Sequence, residues 1–310
     1  MCTMPERLPE RLMVKVDDHE LELSNLDKVL YPACGFTKGE VIDYYTRISP
    51  VLLPHLAGRS LTRVRFPNGV QAPGFFEKNA PAGTPAWVRT ERLPAPRSAS
   101  GRNELDYIVV ERLATLVWLA NLAALELHTP QWKVNRRGRA LEPDLMVVDL
   151  DPGPPAGLVE CGEVALLLRD RLARDGLAAY PKTSGKKGMQ LCCPISGKQT
   201  SEEVSSYAKH IAEELERAHP KLILSRMAKQ LRGGKVFIDW SQNSAAKTTV
   251  TPYSLRAQPT PTVSAPLTWE EVESGGVVAA SLTAQAVLER VEQHGDLLSP
   301  LCTPGPRLPS

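Results

Sequence analysis

Residues 145–152, LMVVDLDP, constrain the chain more than any other segment. A short unbroken apolar run reads as a buried strand, and Pro152, with a fixed φ and no N–H, terminates it. Side chains alternate across a strand, so Asp149 and Asp151 leave on one face while Leu150 enters the opposite one. The fold must therefore contain a sheet with Leu150 in its core and two carboxylates converging at one edge.

The surrounding pattern says what covers that sheet. Thr37 to about Leu56 reads as a helix, with Thr37 as N-cap and Glu40 at the capping-box position. Val41, Tyr44, Tyr45, Ile48, Val51 and Leu52 keep helical spacing on its buried face. Further helices are predicted at residues 111–124, 160–173 and 202–216. Strands are predicted at 12–16, 61–66, 74–78, 107–109, 125–128, 178–183, 189–193 and 235–240. This mixture predicts an α/β (α+β) chain built on a central, mainly antiparallel or mixed sheet with helices on its faces. Residues 1–22 read as a loose arm and first strand, 23–266 as the main domain, and 267–295 as a helical segment packed on it. The proline-rich run at residues 256–266 is expected to be extended on the surface, and 296–310 to be a disordered tail.

With 42% hydrophobic and 23% charged residues, composition excludes disorder for the body of the chain but points to no function. A net charge of +2 gives no argument for a nucleic-acid partner from the total alone. The six cysteines form no CxxC pair and show no zinc-ligand spacing with histidine. No apolar run approaches the roughly 18 residues of a membrane span, so a cytosolic protein with no membrane partner is expected.

Asp149 and Asp151 would repel each other unless a divalent cation lay between them, and hard ions such as Mg²⁺ or Mn²⁺ prefer carboxylate oxygens. A strand-end acid pair also occurs as a loop or helix cap, and Asp-x-Asp serves phosphatases and sugar transferases. Asp239, in GGKVFIDWSQN, adds the third carboxylate that a two-metal site needs. Arg232 and Lys235 beside it supply cations suited to phosphate chemistry. The TSGKKG loop at 183–188 joins two predicted strands; its glycines allow close backbone approach to a phosphate, which Ser184 and Lys187 can bind. It is not a Walker loop, since it leads into a strand, and a flexible basic hairpin is the alternative.

Taken in order, LSNLDKVLYP, TRVRFPNGV, GFFEKN, LELHTPQW, VVDLDPG, KTSGKKG, GGKVFIDWSQN and TPYSLRAQP resemble the polymerase domain of bacterial ligase D, within the archaeo-eukaryotic primase superfamily. The resemblance spans Leu23 to Pro266 and implies an archaeo-eukaryotic primase-like fold. It implies that Asp149, Asp151 and Asp239 hold two catalytic Mn²⁺ or Mg²⁺ ions. His128 matches a contact to the incoming nucleotide, and Ser184, Lys187, Arg232 and Arg256 match positions that hold its triphosphate. Lys28 and Lys38, with Asn25 beside them, match the grip on the 5′-phosphate of a downstream strand. Read from the residues alone, these lysines would be solvated surface charges. Phe75 and Phe76 match an aromatic pair that stacks on template bases; strand alternation suggests that one stacks while the other anchors. Arg65 completes the DNA-contacting set. One departure is visible: the family's Gly-Leu-His reads Gly188-Met189-Gln190 here, replacing a histidine expected near the triphosphate with a side chain that cannot carry charge.

The resemblance implies a template-dependent repair polymerase, a nucleotidyltransferase of non-homologous end joining. Such an enzyme would bind 5′-phosphorylated gaps or ends and add NTPs, in preference to dNTPs, to a primer 3′-OH. A DNA-end-binding module without useful turnover is the alternative, and de novo priming ranks below gap filling. Gapped or broken DNA, nucleotides, a separate ligase and end-binding repair proteins are the partners implied. The chain is expected to be a monomer in the bacterial cytoplasm, associated with the nucleoid, and a stand-alone version without ligase or nuclease modules.

Overall fold

The computed structural model describes residues 11–95 and 101–309, so most of the expected N-terminal arm lies outside the described residues. The acid-bearing strand Leu145–Pro152 lies at the centre of a five-stranded sheet. Its neighbours are the antiparallel strands Met189–Pro194 and Val236–Asp239, flanked by Tyr180–Thr183 and by the short parallel strand Ile223–Leu224. Leu150 is fully buried in the main core, as alternation requires. Helices Leu158–Arg174 and Ser201–Ala218 pack on this sheet.

A second, six-stranded sheet is antiparallel and centred on Ser60–Arg65 and Ala124–Thr129. Helix Lys38–Leu56 packs with Leu113–Asn121, and the capping box at its start is formed: Thr37 Oγ1 accepts from Glu40 N at 3.3 Å, while Glu40 accepts from Thr37 N at 2.7 Å. The helix continues through Pro50, whose missing N–H frees the Thr46 carbonyl; the Ser49 hydroxyl donates to that carbonyl at 2.8 Å. Its buried tyrosines fix the path of residues 253–256. Tyr44 donates to the Tyr253 carbonyl at 2.7 Å, and Tyr45 donates to the Leu125 carbonyl at 2.7 Å and accepts from Leu255 N at 3.2 Å.

Two expectations for the C-terminal third are corrected. The proline-rich run is not wholly on the surface: residues 261–266 are buried, Val263, Ser264 and Ala265 fully, and Thr183 N donates to the Ala265 carbonyl at 2.8 Å. Burial is tolerable because proline brings no N–H and because Thr262 and Ser264 hydroxyls bond neighbouring carbonyls. The tail is not loose either. Leu308 is buried, and its N–H and carbonyl bond the Gln199 side chain at 2.7 and 3.2 Å. Helices Trp269–Ser274 and Ala284–His294 lie against the rest, and Leu267, Val272, Val287 and Leu308 share the main core.

Candidate active site

Asp149 pairs in register with Asp239 across the antiparallel strands, and Asp151 lies two residues further along the same face. Each of the three acids offers a carboxylate oxygen, all within 4.8 Å of one another. Asp239 is oriented by its own turn: it accepts from Ser241 N at 3.0 Å, from the Ser241 hydroxyl and from Gln242 Nε2 at 2.8 Å. Asp151 faces Arg232 at 3.6 Å, whose guanidinium also stacks 4.0 Å from the Phe237 ring. Burial, then the charges of Asp151 and Asp239, push Asp149 up to about 7 against the opposing hydrogen bond from Gln190. Burial also raises Asp151, with Arg232 opposing. Hard oxygen donors that resist ionising together fit a divalent cation.

Gln190 pairs in register with Asp149, and its Nε2 donates to Asp149 at 2.9 Å, so it orients that carboxylate. Beside it, a cleft with about 920 Å³ of open space is lined by Asp149, Asp151, His128, Ser184, Lys187 and Arg256, among others. Five of the sequence-predicted groups for phosphate and metal thus share one cleft with the histidine. The loop that carries Ser184 and Lys187 is held close by its glycines. A Cβ on Gly188 would fall 2.2 Å from the Leu150 carbonyl, and one on Gly185, at φ +69°, 2.5 Å from Arg256 Cγ. Arg232 reaches Asp151 from outside that lining.

Glu126 was not anticipated, yet it organises the cleft. Its side chain is 5% exposed and receives His128 Nε2 at 3.1 Å, Lys186 at 3.2 Å, Arg256 Nε at 3.4 Å and the Ala257 N–H at 3.0 Å. Burial opposes its charge, but His128, Arg256 and Lys186 outweigh that and hold it well below the usual carboxylate range. Burial keeps His128 below its ordinary value, with the bond to Glu126 opposing. The available signal was alternation in LELH, which puts Glu126 and His128 on one face. Lys182 was also missed. Its buried ammonium donates to the Val250 carbonyl at 3.0 Å and to Ser264 Oγ at 2.6 Å, and burial pushes it down to about 8.

The predicted DNA contacts divide into three groups. Lys28 and Lys38 are brought together by the turn in which Asn25 takes φ 52°, with Lys38 N donating to the Lys28 carbonyl at 2.8 Å. Lys38 is not a solvated surface charge: it is 5% exposed, its ammonium donates to the Ser24 carbonyl, and burial followed by Lys28 lowers it to about 8. Phe75 and Phe76 are 53% and 61% exposed, so the expectation that one anchors in the core is corrected. Their strand is a three-residue edge piece with no layer covering either face. Arg65 is engaged internally, at 2.7 Å from the Leu122 carbonyl and 3.1 Å from Glu77.

Comparison with known proteins gives the family. The sequence model of the LigD primase-polymerase domain matches residues 37–298. The multifunctional non-homologous end joining DNA repair protein LigD of Mycobacterium tuberculosis is 43% identical over 95% of this chain and 38% of that protein. The bifunctional LigD of Bacillus subtilis is 34% identical over 89% of this chain and 43% of that protein. This chain thus spans about two-fifths of the length of these relatives. A solved structure, the polymerase domain of Mycobacterium tuberculosis ligase D in complex with DNA, superposes with a TM-score of 0.85 at 42% identity, covering 90% of this chain and 97% of that one. With an archaeo-eukaryotic primase-like architecture and three clustered acids beside a cationic cleft, the chain belongs to the LigD primase-polymerase family.

Proposed function

We propose that this chain is a template-dependent repair polymerase that binds gapped or broken DNA through its 5′-phosphate and adds NTPs, or less readily dNTPs, to a primer 3′-OH. The observation that carries this reading is the convergence of Asp149, Asp151 and Asp239 at the edge of a cleft lined by Ser184, Lys187, Arg256 and His128. The three acids would hold Mn²⁺ or Mg²⁺, which when bound supplies Lewis acidity at the attacking hydroxyl and the phosphates. The protein's own groups do the rest. Ser184, Lys187 and Arg256 bind the triphosphate, Arg232 supports Asp151, and His128, fixed by Glu126, orients the sugar.

Lys28 and Lys38, with Asn25 shaping their turn, form the 5′-phosphate grip: paired ammonium groups facing no carboxylate among the described residues gain from an anion. Exposed Phe75 and Phe76 offer a stacking platform for template bases. Arg65 contributes by bracing Glu77 on that platform's strand. The relatives are named for non-homologous end joining, which suggests a DNA ligase activity and end-binding proteins as functional partners. Primer extension on a 5′-phosphorylated gap with Mn²⁺ tests the proposal. Extension by wild type, lost in Asp149→Ala with DNA binding retained, supports it; binding without any extension by wild type refutes it in favour of a non-catalytic module.

A further inference from the structure

We propose that Cys302 is a modification site, an exposed thiol activated by His55 and Asp296 that undergoes thiol–disulfide exchange with small disulfides. Nothing in the polymerase reading uses these groups. Cys302 Sγ lies 3.7 Å from His55 Nδ1, and His55 Nε2 lies 2.9 Å from Asp296 Oδ2. An ionised Asp296 has no proton to give, so His55 carries its hydrogen on Nε2 and turns the Nδ1 lone pair toward the sulfur. Transfer of the thiol proton then yields a thiolate beside an imidazolium, the pairing that makes a cysteine nucleophilic.

The surroundings favour that charge-separated pair. Asp296 is fixed by the Tyr253 hydroxyl at 2.6 Å and by Leu298 N at 2.9 Å. Burial opposes its charge, but the bonds from His55, Tyr253 and Leu298 outweigh burial and keep its carboxyl below the ordinary value. His55 occupies the last turn of helix Lys38–Leu56, where the helix dipole favours a cation. Burial opposes its protonation as well, yet Asp296 and Cys302 raise it above the ordinary histidine value. Of the other charged groups around the adjoining pocket, Arg59 and Lys133 are neutralised by Asp144 at 2.8 and 2.9 Å, and Lys182 adds a positive charge. The Tyr253 ring lies 6.0 Å from that of His55 and is otherwise uncharged.

In the step itself the Cys302 thiolate attacks one sulfur of the disulfide, the S–S bond breaks and a Cys302 mixed disulfide forms. The departing thiolate takes the proton from His55 Nδ1. The Cys302 sulfur is oxidised and the departing sulfur reduced, so the disulfide is the only co-reactant.

Cys34 is an internal control, because it is also exposed but its sulfur sits 3.7 Å from the Tyr31 carbonyl with no imidazole partner. The test treats the full chain with iodoacetamide at pH 7, maps labelled peptides over time, and repeats the incubation with oxidised glutathione. Cys302 is expected to react about tenfold faster than Cys34 and to take glutathione preferentially. His55→Gln should bring the two rates together. Because His55 is buried, the wild-type protein supplies a test that needs no variant: the rate advantage must vanish in concentrated urea. Equal rates in the native wild-type protein, or an advantage that survives unfolding, overturn the proposal.

Discussion

Replacing Asp149 by Asn should stabilise the metal-free protein while abolishing nucleotide addition. Asp149 stands at about 7 in the folded chain against an ordinary value of 3.8, chiefly through burial and then through Asp151 and Asp239. Below pH 3.8 the group is protonated in both the folded and the unfolded chain and costs nothing. Between 3.8 and about 7 only the unfolded chain ionises, so stability falls as pH rises, and above about 7 the loss is complete. At about 1.4 kcal/mol for each tenfold change in proton affinity, the ceiling is about 4 kcal/mol. Asp149 is partly exposed at the cleft, and solvent screening reduces this to about 1–3 kcal/mol. Asparagine removes the charge and keeps an oxygen to accept from Gln190. Thermal unfolding in EDTA should therefore show the variant melting about 2–6 °C above wild type at pH 8, and the two coinciding at pH 4. Excess Mn²⁺ should raise wild type by mass action, leave the variant nearly unmoved and shrink or reverse the gap. A variant that melts lower in EDTA at pH 8, or a difference that stays flat from pH 4 to 8, would refute the reasoning.

Three further outcomes are expected. Glu126→Gln should raise the nucleotide KM by about tenfold, more than it lowers kcat, because its charge holds His128, Lys186 and Arg256 in place; an unchanged KM with reduced kcat would contradict that role. Replacing Lys28 and Lys38 together by Ala should weaken binding to 5′-phosphorylated gaps and flatten its salt dependence, with hydroxyl-ended gaps little affected; equal losses on both ends would refute the assignment. Phe75→Ala and Phe76→Ala should each cost about 1–3 kcal/mol in template binding by lost stacking while leaving Tm almost unchanged, since both rings are exposed; calorimetry and melting curves check this.

Much of the sheet that carries the acids was legible because short-range patterns determine it. Alternation placed Asp149, Leu150 and Asp151 on their faces, and the Thr37–Glu40 capping box located the start of the long helix. Strand pairing is a long-range property, so sequence could not show that Asp239 sits opposite Asp149 or that Gln190 donates to it. The proline-rich run and the tail were misread for a related reason. Their composition is that of solvated chain, and only the partners Thr183 and Gln199, far away in sequence, make their burial affordable. Alternation puts Glu126 on the face of His128, but its contacts with His128, Lys186 and Arg256 are long-range or depend on burial and do not show in the sequence. Phe75 and Phe76 are both exposed because their short edge strand leaves neither face covered, which alternation alone does not show.

Anomalous diffraction from a crystal soaked with Mn²⁺ and a nucleoside triphosphate tests the central claim most directly. Manganese density at Asp149, Asp151 and Asp239, with the triphosphate reaching Ser184, Lys187 and Arg256, is the expected result. Manganese bound elsewhere, with these three carboxylates left without metal while the nucleotide is bound, would contradict it.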